Sequence, residues 1–440
     1  MINLFSFSGG VHPDPAKNTA SLPTIRLEDF PNVQIPLSMH TGAPCTPCVE
    51  VGDTVAIGQK IADTEAYVSA PIHATISGKV TAIKKIISSI GTPVEVIEIE
   101  ADGLNTVHES VLPPVIKSKE DFLEAIRSSG LVGLGGATFP THVKLNPPKG
   151  KEPDTLVINA AECEPYLTSD YRTMIENSDK VIQGIDAILD WLQIPRAIIG
   201  IEDNKKDAAR LLQSKIKKSP NKDKIQIKLL KTIYPQGAEK TLIYMTTKRR
   251  IPTGGLPHDV NTMILNVTTV RFIAQYLNTG MPLVRKHLTI DGGAVANPAN
   301  VSAPIGAFIQ DIVDKIGGVK ETPSKVLMGG PMMGVAIDRQ NVGIIKANNG
   351  ILLLDAKQAQ LPEESPCIRC SKCIDVCPMN LMPTNLDVAS KSADLEELVK
   401  YHVMDCMECG CCSFICPSKR YLVQSIREGK RLVRSQPIKT

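Results

Sequence analysis

The sequence CIRCSKCIDVCP at residues 367–378 returns as CMECGCCSFICP at residues 406–417, and this repeat decides how the C-terminal part of the chain folds. In each copy, gaps of two residues separate three cysteines, a gap of three leads to a fourth, and a proline follows. Short gaps let a tight loop turn several thiolates inward, and the proline ends the segment. The repeat predicts a cysteine-rich domain of short helices that binds metal or metal clusters.

Both copies match the bacterial-ferredoxin spacing for [4Fe–4S] clusters, in which three close thiolates bind one cluster and the fourth serves the other. This resemblance implies two ligand sets, Cys367, Cys370, Cys373 and Cys416 for one cluster and Cys406, Cys409, Cys412 and Cys377 for the second. Cys411 leaves the register of the second copy ambiguous, although the spacing to the proline favours Cys412. A structural zinc pair is the alternative, but zinc sites usually use two separated cysteine pairs.

Length and charge limit the remaining possibilities. A chain of 440 residues predicts roughly three domains, and 42% apolar residues are typical of globular proteins. The net charge of +3 is too small to make the whole molecule a nucleic-acid binder, so we expect no nucleic-acid partner. No signal peptide or transmembrane segment is predicted. Seven Lys or Arg residues follow position 418; they indicate either a solvated helix end or docking onto an acidic partner or an anionic membrane.

Periodicity divides the rest of the chain into three modules. Residues 30–105 predict short strands between Gly-Asp and Ser-Gly turns, and they resemble a lipoyl-type barrel sandwich. Lipoyl-type domains carry a lysine on one hairpin, but the corresponding hairpin of this chain, residues 65–68, has no lysine. From residue 118 to 285 helices and strands alternate, which predicts a largely parallel sheet with ligands at the strand C-terminal ends. Residues 286–350 indicate a β-grasp-like unit. Helices are predicted over residues 120–129, 179–192, 206–217 and 305–316, and strands over 155–160, 197–201 and 225–230.

Two segments of the α/β region carry ligand-binding signals. The glycine-rich run at residues 130–136 would let a backbone approach a planar ligand or a phosphate, with the cation of Lys144 nearby. The predicted strand of residues 155–160 contains Asn159 near its end and is followed by Glu162 and Glu164, which are placed to bind ribose hydroxyls or the edge of a ring. An ordinary glycine-rich connection and a solvated acidic turn are the alternatives.

These motifs together resemble a known family. GLGGATFPT at residues 133–141, NAAECEP at 159–165, YPQGAEKT at 234–241 and NVTT at 266–269, with the cysteine repeats, are similar to the FMN- and NADH-binding subunit of respiratory complex I. The C subunits of Rnf-type ion-translocating ferredoxin:NAD⁺ oxidoreductases are a closer match. They share the opening FSGGVHP at residues 7–13 and the barrel-sandwich module.

The resemblance implies a multidomain α/β fold. Its modules are an N-terminal segment with a barrel sandwich (1–110), an FMN/NADH-binding α/β domain (111–285), a β-grasp-like SLBB module (286–355) and a ferredoxin-like helical domain with two [4Fe–4S] clusters and a basic tail (356–440). For FMN it implies Gly133, Gly135, Gly136, Lys144, Asn159, Glu162, Asn266 and Thr269. For NADH it implies Phe139, Glu164, Gly237 and Glu239. The chain departs from the complex I pattern at Leu134, Ala161, Ala238 and Leu265.

The function implied is that of an electron-transfer subunit. NAD(H) would exchange hydride with FMN, and two clusters would pass single electrons to or from membrane-embedded and iron–sulfur subunits. The location implied is peripheral, on the cytoplasmic face of the cell membrane. Two alternatives stay open: a similar cobalamin reductase of propanediol-using microcompartments, and an iron–sulfur adaptor that binds no flavin.

Overall fold

Four modules follow one another along the chain, and the computed structural model describes residues 9–88, 91–338 and 341–436. Phe7 and Ser8 of the opening motif, and Lys439 of the basic tail, lie outside the described residues. In these ranges no helix is both long and apolar enough to cross a membrane.

The first module is a barrel sandwich of two antiparallel sheets with strand orders β2-β8-β7-β4 and β3-β5-β6. Alternate residues such as Val33, Ile35, Ile97 and Ile99 fill the space between the sheets. The preceding strand β1 instead pairs with the third module. The strands are β1 (Thr24–Arg26), β2 (Asn32–Pro36), β3 (Thr46–Pro47), β4 (Thr54–Val55), β5 (Lys60–Asp63), β6 (Ile72–His73), β7 (Gly78–Ile87) and β8 (Pro93–Ala101).

The second module has a four-stranded sheet with order β11-β10-β9-β12, parallel throughout as predicted. The helices and strands predicted here are confirmed to within a residue or two, whereas α2, α3, α6, β12 and α7 were not predicted. The elements are α1 (Lys119–Ser128), α2 (Thr141–Lys144), β9 (Thr155–Ala160), α3 (Ser169–Glu176), α4 (Ser178–Leu192), β10 (Ala197–Glu202), α5 (Lys206–Ile216), β11 (Ile225–Leu230), α6 (Glu239–Thr247), β12 (Thr262–Asn266) and α7 (Val267–Thr279).

The third module packs one helix on a six-stranded mixed sheet with order β1-β14-β13-β17-β15-β16. The helix predicted over residues 305–316 was wrong at its start. Gly306 has φ +92°, and the amides of Ile305 and Gly306 donate to Val284 and Ile344 outside the helix, so the helix begins only at Ile309. The elements are β13 (Arg285–Asp291), β14 (Ala299–Pro304), α8 (Ile309–Lys315), β15 (Lys325–Met328), β16 (Val335–Ile337) and β17 (Gly350–Leu354).

The fourth module consists of short helices, as predicted, around an apolar core that includes Leu386, Leu398 and Ile426. At least four of the seven tail cations are paired within it: Arg427 and Lys430 with Glu408, Arg420 with Asp387, and Arg431 with Glu428. Much of the basic charge is therefore neutralised inside the chain. The helices are α9 (Lys372–Asp375), α10 (Pro383–Lys391), α11 (Leu395–Lys400), α12 (Cys411–Ile415) and α13 (Leu422–Ser435).

Candidate functional site

The candidate site lies at the C-terminal edge of the parallel sheet. Asn159 is the penultimate residue of β9, and its register partner Asn266 is the last residue of the neighbouring strand β12. Both amides therefore reach the edge where open α/β sheets bind ligands. Asn159 Nδ2 donates to the carbonyl of Gly237 at 2.7 Å. Asn266 Oδ1 accepts from the Thr268 amide at 2.8 Å and caps helix α7, a role in which Asn is strongly favoured.

The glycine loop of residues 133–136 folds over the start of α7. The Leu134 amide donates to Thr269 Oγ1 at 2.9 Å, and the Gly133 amide donates to the carbonyl of Phe139 at 2.9 Å. A Cβ on Gly135 would come within 3.2 Å of Asn266 Cβ, so a side chain at this position would crowd the cap. Gly136, at φ +113°, faces open space.

Lys144 and Glu239, assigned by the resemblance to FMN and NADH respectively, form an ion pair with Nζ and Oε2 2.8 Å apart. The two side chains are 28% and 42% exposed. A pair this exposed contributes at most about 1 kcal/mol. Either partner can therefore turn towards a ligand at small cost.

The two acidic side chains after Asn159 accept hydrogen bonds from backbone amides of neighbouring segments. Glu162 accepts from the amides of Asp170 and Tyr171, at 2.6 and 3.0 Å, and so binds the N-terminal end of α3. Glu164 accepts from the amides of Met332 and Met333, at 3.2 and 2.8 Å, in the third module. Burial raises the pKa of each carboxyl to about 7. Both residues fix neighbouring elements against the site.

The wall of the site contains a buried amide that the motifs did not single out. Gln236 is fully buried, and neither Nε2 nor Oε1 of its amide has a hydrogen-bond partner among the described residues. Next to it, the Gly237 amide donates to Cys163 Sγ at 3.3 Å, and burial raises the pKa of this thiol to about 12, so it is neutral. An open glycine loop beside a helix N-terminus fits a planar, polar ligand that carries an anionic group.

The cysteines gather in the two crossed sets that the ferredoxin resemblance implies. The thiol of Cys373 has those of Cys416, Cys367 and Cys370 as neighbours. The thiol of Cys412 has Cys409, Cys406 and Cys377. Among the described residues no three ligating side chains converge tightly enough to hold a single metal ion; a four-iron cluster spreads its thiolates more widely than one ion does. Donor type and grouping therefore fit clusters.

The two cysteine sets differ in their surroundings. Cys367 and Cys370 of the first set are exposed, whereas Cys409 and Cys412 of the second are buried. The extra thiol of Cys411 is directed to the carbonyl of Tyr234, at 3.8 Å. The same thiol also hydrogen-bonds with the thiol of Cys409, so Cys411 lies beside the second set together with Cys412.

A buried tyrosine joins the second cysteine set to the candidate flavin site. Tyr234 is 2% exposed, and its hydroxyl donates to the carbonyl of Cys409 at 2.8 Å. Three residues later in the same segment, Gly237 contacts Asn159 and Cys163. One turn of chain thus connects the two sites.

The opening motif secures this junction. Val11 and Tyr234 exchange two backbone hydrogen bonds, and the Gly10 amide donates to the carbonyl of Val376 beside Cys377. Gly9 and Gly10 have φ near +88° and +86°, and a Cβ on either would come within 2.9 Å of backbone oxygens. The glycine pair lets the N-terminal segment run between the second and fourth modules.

Comparison with family models gives one match for each module, in the predicted order. The RnfC barrel sandwich hybrid domain matches residues 5–104 and the Nuo51 FMN-binding domain matches 126–275. The SLBB domain matches 288–336 and the 4Fe-4S dicluster domain matches 361–417. The predicted fold class is confirmed.

Curated relatives match over nearly the whole chain. The C subunit of a proton-translocating ferredoxin:NAD(+) oxidoreductase complex of Clostridium ljungdahlii is 44% identical over 96% of this chain and 93% of the relative. The C subunit of an Na(+)-translocating ferredoxin:NAD(+) oxidoreductase complex of Acetobacterium woodii is 41% identical over 98% of both chains. The C subunit of an ion-translocating oxidoreductase complex of Rhodobacter capsulatus is 36% identical over 91% of this chain and 78% of the relative.

A solved structure shares the fold at lower identity. The NAD+-reducing [NiFe]-hydrogenase in the air-oxidized state aligns with a TM-score of 0.51 and 17% identity over 72% of this chain and 61% of that chain. This likeness concerns the fold alone.

Proposed function

Since the chain belongs to the family of C subunits of Rnf-type ion-translocating ferredoxin:NAD⁺ oxidoreductases, we propose that it binds FMN, NAD(H) and two [4Fe–4S] clusters and links hydride exchange to one-electron transfer. The chain is a subunit of an oxidoreductase complex. Within that complex it is the part where the nicotinamide nucleotide reacts.

FMN would lie on the glycine loop at the sheet edge. Gly133, Gly135 and Gly136 would lie under the ring, Asn159 would meet the edge of the ring, and Asn266 and Thr269 would meet the phosphate at the start of α7. Glu162 holds α3 in place behind the site. Once bound, FMN supplies the conversion between two-electron hydride chemistry and one-electron cluster chemistry.

NADH would enter from the exposed side of the loop. Phe139 and Gly237 border this side, and Glu239 is free to leave its exposed pair with Lys144 and accept hydrogen bonds from the nucleotide. Glu164 supports the entrance by holding residues 332 and 333 of the third module. These residues bind and orient; no protein nucleophile or general base is required.

The contact between Tyr234 and Cys409 is the observation that carries the proposal. It brings the wall of the flavin site against the set of Cys406, Cys409, Cys412 and Cys377. Electrons would pass between the flavin and this inner cluster, and then to the outer cluster of Cys367, Cys370, Cys373 and Cys416. The exposed thiols of the outer set make it the outlet towards other subunits.

The subunits that exchange electrons with the outer cluster would be the membrane-embedded and iron–sulfur subunits of the same complex. The chain would contact them at the cytoplasmic face of the membrane. The chain would attach there as a peripheral subunit.

Cofactor analysis of the anaerobically purified chain tests the proposal. We expect about one FMN and eight iron and eight sulfide per chain, because two four-iron clusters are ligated. A chain that contains iron and sulfide but no flavin would be an adaptor, and zinc without sulfide would refute the cluster assignment. Variants of Cys370 and Cys409 to Ser each should lose one cluster and keep FMN.

A further inference from the structure

We propose that Lys286, a buried residue of the third module, is a positioning residue for the FMN phosphate: it holds the glycine loop from behind and supplies a positive charge beside the start of α7. The inference rests on the proposed binding of FMN. It assigns part of flavin recognition to a residue outside the stretch of 126–275 that matches the FMN-binding family model.

Lys286 acts on the loop through one carbonyl. Its side chain is 1% exposed, and Nζ donates to the carbonyl of Leu134 at 3.0 Å and to Asn349 Oδ1 at 2.8 Å. The amide of the same Leu134 donates to Thr269 Oγ1 in the first turn of α7. The loop is therefore held between the ammonium group and the helix start, with Gly135 against Asn266.

The charge balance around Lys286 favours an anion. Among the described residues no carboxylate lies within ion-pairing distance of Nζ. The carboxylate of Asp170 raises the pKa of Lys286 through space, but its hydrogen bonds come from Asn266 Nδ2 and Thr268 Oγ1, both at 2.7 Å, so it offsets part of the charge without an ion pair. His287, the next residue along the strand, has a pKa far below its usual value because of burial and neighbouring cations. A buried cation without a direct ion pair is costly to maintain.

A dianionic phosphate at the start of α7 would satisfy this imbalance. The helix is 13 residues long, and its N-terminal end carries the positive end of the backbone dipole. Lys286 and the helix dipole would act on the same group from two sides. Riboflavin, which has the same ring and ribityl chain but no phosphate, would gain from the ordered loop but not from the positive charge.

Lys346 provides a matched control. It is also 1% exposed and donates to loop carbonyls, those of Gly130 at 2.6 Å and Pro71 at 3.1 Å. These contacts lie at the far end of the glycine-rich run, against the first module. Removing its charge should disturb packing without a specific effect on phosphate.

The test compares FMN and riboflavin binding to the full-length chain by quenching of flavin fluorescence. Lys286→Met should weaken FMN binding by about 10- to 100-fold more than riboflavin binding. Lys286→Arg should restore part of the lost preference for FMN over riboflavin. Lys346→Met should change the affinities for the two ligands by the same factor. If Lys286→Met weakens the binding of both ligands by the same factor, the inference about Lys286 is overturned, while the proposal that the chain binds FMN still stands. A wild-type chain that binds neither ligand would instead refute the proposed function.

A second measurement needs no variant. Burial lowers the pKa of Lys286 to about 8, so the ammonium group loses its proton as the pH rises above this value. Wild-type affinity for FMN should then fall between pH 7 and pH 9.5, by up to tenfold per pH unit, while affinity for riboflavin stays level. A parallel decline for both ligands would contradict the assignment.

Discussion

The hydroxyl of Tyr234 offers a single-atom test of the junction between the flavin site and the inner cluster. Tyr234→Phe keeps the buried ring and removes the 2.8 Å hydrogen bond to the carbonyl of Cys409. A buried acceptor left without a partner costs about 1–3 kcal/mol. The opening of the loop at residues 408–412 should become easier by that amount, which corresponds to about 5- to 150-fold.

Hydrogen exchange of the cluster-loaded chain under anaerobic conditions measures this change, because amide exchange reports local opening free energies. We expect amide exchange at residues 408–412 to become faster in Tyr234→Phe. Exchange rates in the first module should not change by a comparable amount. Tyr276→Phe is the control, since Tyr276 is also buried but stacks on Phe272 within α7. Unchanged exchange at residues 408–412 would show that the hydroxyl does not secure the junction.

Three further predictions concern the sites themselves. Glu239→Ala should slow the reduction of the bound flavin by NADH by about 10- to 100-fold, with FMN content unchanged. Loss of FMN, measured after extraction, would show that Glu239 contributes to FMN binding. Gly135→Ala should lower FMN per chain without altering the circular dichroism spectrum, because its Cβ would come within 3.2 Å of Asn266; full occupancy would argue against the loop as the flavin bed. Cys411→Ser should retain both cluster signals in EPR spectra, whereas Cys412→Ser should lose one; the reverse result would shift the ligand register.

Sequence patterns predicted those elements whose apolar period is strong. The strand of residues 155–160 and the helix of residues 179–192 are dense in buried aliphatic residues, and both were located to within one residue. Helix α7 was not predicted, since its sequence VTTVRFIAQYLNT is rich in β-branched residues that weaken the helical signal. The predicted start of α8 was wrong because Gly306 has a left-handed backbone conformation and its amide donates to the distant carbonyl of Ile344.

Prediction of the site was limited by long-range contacts. The family resemblance brought Asn159, Asn266 and the glycine loop into one group, and the structure places them side by side. The resemblance gave no sign that the carboxylate of Glu164 would meet amides 168 and 169 residues away. Lys286 lies 152 residues from Leu134 in a module without a flavin motif, so only the folded chain reveals the contact.

Anaerobic titration of the isolated, cluster-loaded chain with NADH tests the central claim most directly. We predict that flavin absorbance bleaches first and that EPR signals of reduced [4Fe–4S] clusters follow in the same sample, with the response of the inner set lost in Cys409→Ser. A chain whose flavin and iron–sulfur spectra both stay unchanged in excess NADH would contradict the account.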